Sequence, residues 1–398
     1  MRTITDSVGA QVDPASDSPD RAALRASVRK MIADVAPEQR VLELDDREEF
    51  DDLLHQGLAD LGAMAVGAHP DHGGAGDLRD QLVVVEELAA GPTSMAVFMI
   101  VHYMAIQILS TEASPEQRAT WLDRLVEGRA KFSFALTEPG AGTDIARAMR
   151  TAGRRDGDDW VLSGQKAWIS GAQRADAFIL LARTSPVEDG STVDGITMFL
   201  VPRDSPGITV RELATVAVHG LDTCEVFLDD VRLPSNAVIG NEGEGFRQVI
   251  ATLNRERLNS AAGSIGAARG ALEAAVRYVG ERSAFGSTVG SFQAVQHRLV
   301  NGAIAIEAAR GLMVRASEVE AAGGRADLLS SMAKVAASEA AVLVTQSGME
   351  VMGGAGFSRE YSMQRWFRDV RLWVFAPLAN DMVRSYLGER LLELPRSF

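Results

Sequence analysis

The sequence predicts an α+β fold in three blocks: an all-helical N-terminal domain over residues 1–130, an antiparallel β-barrel domain over 131–240 and a C-terminal four-helix bundle over 241–398. Three observations predict it. From Ser18 to about Gly128, apolar residues recur three and four apart, the spacing of a helix with one buried face. Near Phe132 the pattern changes to short β-rich runs bounded by turn residues. From Glu242 onward the helical period returns in long alanine-rich stretches, which let helix faces approach closely in a bundle.

Each block has its own markers. In the first, "DRAALRASVRKMIADV" and "DQLVVVEELAAG" are helical, and Gly91-Pro92 breaks the chain before the apolar run Met95–Leu109. That run is interrupted by His102, Tyr103 and Gln107 and is too short to cross a bilayer, so it reads as a buried helix. His102 and Tyr103 read as a satisfied core pair ahead of a ligand-lining one. Ser114 is placed to cap a helix, with Pro115 at the first helical position and Gln117 at the third. In the second block, "DWVLSGQKAWIS", "AFILLART", "GITMFLVP" and "CEVFLDDVRLP" are strands, with turns at Asp156-Gly157, Ser163-Gly164 and Asp194-Gly195. The first twenty residues are polar, carry Pro14 and Pro19, lack the apolar block of a secretory signal, and read as a frayed start.

Charge and cysteine usage narrow the function. Lys plus Arg number 40 against 54 for Asp plus Glu, a net charge of -14, which argues against a nucleic-acid partner. The lone Cys224 excludes an intrachain disulfide framework and fits a reducing, cytoplasmic setting; in its strand-like run it reads as a small buried hydrophobe. No metal site and no membrane insertion are expected.

The chemistry lies in four stretches: "TEPGAGTD" at Thr137–Asp144, "GQKAWIS" at Gly164–Ser170, "ERSAFG" at Glu281–Gly286 and "EVMGGAGFSREYSMQRWFRD" at Glu350–Asp369. Together they resemble the acyl-CoA dehydrogenase family along nearly the whole chain, and the helix, β-barrel, helix-bundle order resembles that family's fold. The resemblance implies FAD as cofactor and α,β-dehydrogenation of an acyl thioester in fatty acid metabolism. It implies that Leu136 and Thr137 meet the flavin ring edge, that Thr143 contacts flavin or substrate, that Trp168 covers one ring face, and that Ser170 bonds near N5. Such contacts suit a flat, electron-poor ring that gains negative charge on reduction. It further assigns Arg282, Phe285, Glu350, Gly353, Gly354 and Gly356 to the cofactor's adenine and diphosphate across a subunit boundary, and so implies a homotetramer. Phe357, Glu360, Arg365 and Asp369 fall at signature spacing. Arg147, Ala379 and Asp381 depart from the family's preferences.

Taking the α proton of a thioester at neutral pH needs a carboxylate in a dry pocket with its pKa raised. Where most of the family carries that glutamate this chain has Pro377, which offers neither a base nor a backbone N–H. A minority resembling isovaleryl-CoA and long-chain acyl-CoA dehydrogenases carries the base on the first helix of the C-terminal bundle, just before an arginine. Here "LNRERLN" puts Glu256 before Arg257, on a stripe with Thr252, Asn259, Ser260 and Gly263, while Leu253, Leu258, Ala262 and Ile265 pack elsewhere. Glu256 is therefore expected as the base, with hydride passing to flavin N5. Arg257 is expected either to hold the substrate's CoA side or to pair with its neighbour. Electrons are expected to leave to an electron-transferring flavoprotein. Three rivals stand beside this: dehydrogenation of an acyl group on a carrier protein, a flavin oxidase or monooxygenase of the same fold, and a flavin-binding subunit without catalysis.

Overall fold

Ser18 opens the first helix, α1 (Pro19–Val35): its hydroxyl accepts from Arg21 N at 3.3 Å, and Pro19 stands where a missing N–H goes unmissed. The computed structural model describes residues 17–187 and 191–396, with Ala251 and Leu253 described by backbone alone, so most of the expected frayed start and the packing of Leu253 fall outside it. Helices α2 (Glu38–Arg47), α3 (Asp52–Asp60), α4 (Leu78–Ala90) and α5 (Thr93–Glu112) complete the helical layer. An Asp77–Asp80 capping box starts α4. Ser114 and Gln117 form the second expected box, at 3.2 and 3.0 Å, and Gln117 also donates to the carbonyls of Asn236 and Val238 in the β domain.

The apolar run Met95–Leu109 lies inside α5, a 20-residue helix longer than the run itself. By length and composition α5 and the helix Asp327–Met352 are each sufficient to span a bilayer, but 72% and 61% of their apolar windows are buried within the fold. His102 and Tyr103 are both buried, but they are not the satisfied pair expected away from any ligand: His102 Nδ1 has no hydrogen-bond partner among the described residues, and Tyr103 borders the pocket beside Glu256. The His102 ring nitrogen Nε2 lies 3.0 Å from the Met64 carbonyl, and the Tyr103 hydroxyl donates to the Ala63 carbonyl at 2.8 Å.

The middle domain holds β1 (Phe132–Ala135), β2 (Ala152–Asp156), β3 (Asp159–Ser170), β4 (Ala177–Arg183), β5 (Ile196–Pro202), β6 (Ile208–Glu212), β7 (Thr223–Leu233) and β8 (Val238–Ile239). Their order is β6-β7-β3-β2-β4-β5-β8, with β1 on β4. Pairing is antiparallel except at β4, where β1 runs parallel, Phe132 facing Ala177, and β2 meets it parallel at Ala152 and Arg183. The domain is otherwise antiparallel, as expected; β2 and β3 lie between β1 and β4 in sequence, so no hairpin imposes opposite directions on that pair. Cys224 is buried in β7, and burial with Asp222 beside it pushes its thiol above the usual range, which leaves it unreactive.

The C-terminal bundle comprises α6 (Gly245–Glu281), α7 (Gln293–Ala321), α8 (Asp327–Met352) and α10 (Asn380–Leu391), with the short α9 (Met363–Asp369) on its flank. The 37-residue α6 packs directly on α4. Their backbones approach so closely that a Cβ on Gly266 would lie 2.1 Å from the Glu86 carbonyl oxygen, and one on Gly270 2.4 Å from that of Ala90.

At this contact Glu86 and Glu87 are buried among four arginines. Glu87 accepts from Arg25 at 2.6 Å and from Arg29 and Arg269 at 2.8 Å, while Glu86 accepts from Arg310 at 2.7 Å. Burial alone raises the Glu86 pKa, but the guanidinium groups of Arg310, Arg25 and Arg269 outweigh it and hold the carboxyl far below the usual range.

A second polar knot joins all three domains. Arg365 donates to the Gly91 carbonyl at 2.6 Å and pairs with Asp369 at 3.2 Å, and Asp369 accepts from Val218 N at 2.8 Å. Both side chains are buried. These two signature residues therefore tie the domains together.

Candidate active site

The Thr137–Asp144 loop is built on a buried ion pair that the sequence reading missed. Glu138 accepts from Arg150 N at 2.7 Å, Thr151 N at 2.9 Å and Lys166 Nζ at 2.8 Å, and Lys166 also donates to the Leu136 carbonyl at 3.0 Å. Desolvation lowers the Lys166 pKa to about 8 against the pull of Glu138. Because Glu138 faces inward, Pro139, Gly140, Gly142 and Thr143 remain exposed, with Leu136 and Thr137 half-buried beside them. A Cβ on Gly140 or Gly142 would meet nothing within 4 Å, so this rim is open to a ligand. Arg147 is exposed on the short turn that follows.

Trp168 lies where the β3–β7 register shifts between Lys166 and Ile169, and it adopts a φ of 61°. A bulge of this kind re-aims a side chain, and the indole is 61% exposed, unusual for a tryptophan in a central strand. Ser170 ends β3, half-buried, its carbonyl accepting from Ser133 Oγ at 2.8 Å. An exposed indole, an open glycine turn and a recessed hydroxyl on adjoining strands fit a flat ring with polar edges.

Glu256 occupies the first third of α6. Its pocket, about 280 Å³ of space opening to solvent, is lined by Gln81, Ile100, Tyr103, Met104 and Gln107 from α4 and α5, and by Thr252, Arg255 and Asn259 around the glutamate. Burial pushes the Glu256 carboxyl up to about 7, with Arg257 opposing. Among the described residues no hydrogen bond or ion pair engages this carboxylate. Of the expected stripe, Thr252 and Asn259 line the pocket, while Gly263 packs on Trp373. Arg257 does not pair with its neighbour: Nη1 donates to Asn254 Oδ1 at 3.0 Å, and the guanidinium lies 5.9 Å from the centre of the Tyr386 ring. Pro377 is half-buried in the loop before α10, where Lys334 donates to the Leu378 carbonyl at 2.7 Å and to Asn380 Oδ1 at 2.6 Å.

The other predicted cofactor residues lie at the far end of α6. Arg282 is exposed just past that helix, and Phe285, with a φ of 53°, is 96% exposed in the hairpin formed by β9 (Ser283–Ala284) and β10 (Ser287–Thr288). Tyr278 meets Tyr361 edge-on at 5.9 Å, which brings the Gly353–Tyr361 turn to the same end. Gly353 and Gly354 have nothing within 4 Å of an added Cβ, and Phe357 is 81% exposed. Glu350 is exposed on α8 and pairs with Arg298. The 26 residues from Glu256 to Arg282 correspond to about 39 Å of helix. One chain therefore does not bring Glu256 and the diphosphate residues together.

Pocket residues Gln107, Arg255 and Asn259 escaped the sequence reading as a set. Asn259 stood on the Glu256 stripe, but Gln107 is 149 positions from Glu256 and nothing local points to it.

Known proteins resemble this arrangement along its whole length. Sequence profiles for the N-terminal, middle and C-terminal domains of acyl-CoA dehydrogenase match residues 18–129, 133–231 and 243–392. Acyl-CoA dehydrogenase FadE12 of Mycobacterium tuberculosis is 32% identical over 386 residues, covering 96% of this chain and 98% of its own. Among solved structures, butyryl-CoA dehydrogenase of Megasphaera elsdenii superposes with a TM-score of 0.89 at 28% identity, covering 95% of this chain and 99% of its own. A glutaryl-CoA dehydrogenase from Mycobacterium smegmatis, solved with FADH2, gives 0.91 at 28% identity, with both chains fully covered. Three matched domains in order, carrying an open glycine turn, an exposed indole and a raised carboxylate in a pocket, show that this chain belongs to the acyl-CoA dehydrogenase family.

Proposed function

We propose that this chain is an FAD-dependent acyl-CoA dehydrogenase whose α-proton base is Glu256. The observation that carries this is the setting of that carboxylate: it faces a pocket, no hydrogen bond or ion pair engages it among the described residues, burial pushes it up to about 7, and the chain has proline at the family's usual base position. A base that titrates near neutrality is half-ionised at working pH and still strong enough to take a weakly acidic proton. FAD, when bound, supplies the acceptor for the β hydride. Thr137, Thr143, Trp168 and Ser170 would hold its ring, and Arg282, Phe285, Gly353 and Gly354 its diphosphate and adenine. The pocket around Glu256 would seat the acyl chain and keep water from the reacting carbon. The geometry leaves Arg257 beside that carboxylate yet turned to Asn254 and Tyr386, which favours a role at the CoA side of the cleft.

The roughly 39 Å of helix between Glu256 and Arg282 supports a site completed by a second copy, and the exposed Phe285 and Phe357 support the same reading. Light scattering is expected to give a homotetramer, whereas a flavin-loaded monomer would contradict this. Arg282→Ala is expected to weaken FAD retention about 10- to 100-fold, equivalent to a charge-assisted hydrogen bond of roughly 1.5 to 3 kcal/mol. Unchanged retention, measured by flavin release on dilution, would remove Arg282 from the site. Oxidation through an electron-transferring flavoprotein completes the turnover we propose. Steady consumption of oxygen in place of transfer to such a carrier would favour an oxidase or monooxygenase of this fold, for which the missing carboxylate at Pro377 is the supporting observation.

A further inference from the structure

The wall of the Glu256 pocket is more polar than a plain alkyl chain needs. Asn259 is only 4% exposed, lines the pocket, and its Oδ1 has no hydrogen-bond partner among the described residues. Buried side-chain amides are normally paired, so an unpaired one facing a cavity points to a group that arrives with the ligand. Opposite it, Gln107 Oε1 accepts from Arg255 Nη1 at 2.6 Å, and Arg255 Nε donates to Glu320 at 3.2 Å. Glu320 thus balances the guanidinium charge, and this wall presents hydrogen-bonding groups with little net charge. Gln81 and Tyr103 are already bonded to the carbonyls of Val66 and Ala63 and are not available to a ligand in the same way.

Resting on the reading of Glu256 as the base, we propose that this pocket selects an acyl group carrying an uncharged hydrogen-bond donor, a hydroxyl, a few carbons beyond the reacting bond, where it would donate to Asn259 Oδ1. Asn259 follows Glu256 by three residues on the same helix face, about 5 to 6 Å away between Cβ atoms, which corresponds to about four carbon–carbon bonds and places the substituent near C5 or C6. Glu320 already neutralises Arg255, and an ionised Glu256 repels a carboxylate, so an acidic terminus is disfavoured. A plain alkyl chain would seal the Asn259 amide without a partner, and a site built to hydrogen-bond rejects an analogue that lacks the group.

The test compares hexanoyl-CoA with 5-hydroxyhexanoyl-CoA and 5-oxohexanoyl-CoA in the holoenzyme. Parent protein is expected to prefer 5-hydroxyhexanoyl-CoA at least tenfold in kcat/KM over both hexanoyl-CoA and 5-oxohexanoyl-CoA, which offer no donor at that carbon, and Asn259→Leu to abolish that preference. Calorimetric affinities for the same thioesters in the Glu256→Gln background, with and without Asn259→Leu, read the pocket independently of turnover. If no thioester is oxidised, the functional reading fails, while the binding preference still decides the pocket. Equal or better binding of hexanoyl-CoA by the parent overturns the proposal, since ordered water alone then satisfies Asn259. An equal effect of the substitution on all three ligands also overturns it. Should Asn259→Leu not fold, Gln107→Leu on the half-buried opposite wall is expected to show the same selective loss, and a uniform loss there counts against the proposal.

Discussion

Glu256→Gln is expected to lower turnover with a true acyl-CoA substrate by about a hundred- to ten-thousandfold while FAD, fold and ligand binding persist. Glutamine keeps the side chain's size but accepts no proton, so the loss should fall on kcat, with KM little changed. In the parent, kcat/KM should rise with pH through about 7 as Glu256 ionises. The same residue makes a second, opposite prediction for stability. Its folded pKa of about 7 lies above the ordinary 4.5, so folding retains a proton that the unfolded chain releases, and stability from this group falls as pH rises from 4.5 through 7. Glu256→Gln removes that penalty. The variant is therefore expected to be more stable than the parent at pH 8 and to lose the advantage below pH 4.5, as read from urea midpoints. A functional site held at the expense of stability is the expected pattern for a buried base.

The largest stability effect is expected at the other end of α4. Glu86→Ala leaves Arg310, Arg269 and Arg25 facing one another in the core without a key counter-charge and should destabilise the protein by about 3 to 5 kcal/mol. Among the described residues Arg310 Nη2 has no hydrogen-bond partner, and the ion-pair contact of Arg269 Nε, at 3.5 Å, is to Glu86 itself, so little slack exists to re-pair them. Urea unfolding with extrapolation to water measures the change. A loss under 1 kcal/mol would mean that the cluster is effectively hydrated. A Glu86→Leu, Arg310→Met pair should recover much of the loss, because replacing both members of a buried ion pair by apolar groups avoids the stranded charge. Glu86 is held far below its ordinary 4.5, so its contribution is complete above pH 4.5 and is lost as the pH falls below it.

The helical, β and helical order, the Ser114 cap, the buried α5 and the stripe that carries Glu256 were legible because each rests on local spacing. Apolar period reports a helix face, and "LNRERLN" sets Glu256 beside small and polar neighbours one helical turn away. What was hidden rests on distant partners. "VVVEELAA" reads as an ordinary amphipathic helix, yet Glu86 and Glu87 are buried because arginines 62, 182 and 224 positions away converge on them. Glu138 stands inside a motif that reads as ligand-facing and instead pairs inward with Lys166, 28 residues on. Arg365 and Asp369 fall at signature spacing but serve as ties between domains. The parallel placement of β1 against β4 follows from topology, which no strand propensity encodes.

The central claim is that Glu256, and no group at the Pro377 position, takes the α proton. The most direct measurement is the rate at which an acyl-CoA substrate bleaches the bound flavin under anaerobic conditions, compared between the parent and Glu256→Gln at pH 7. The account predicts rapid bleaching in the parent and a rate at least a hundredfold lower in the variant, which still binds the thioester. Bleaching of the variant as fast as the parent would contradict it.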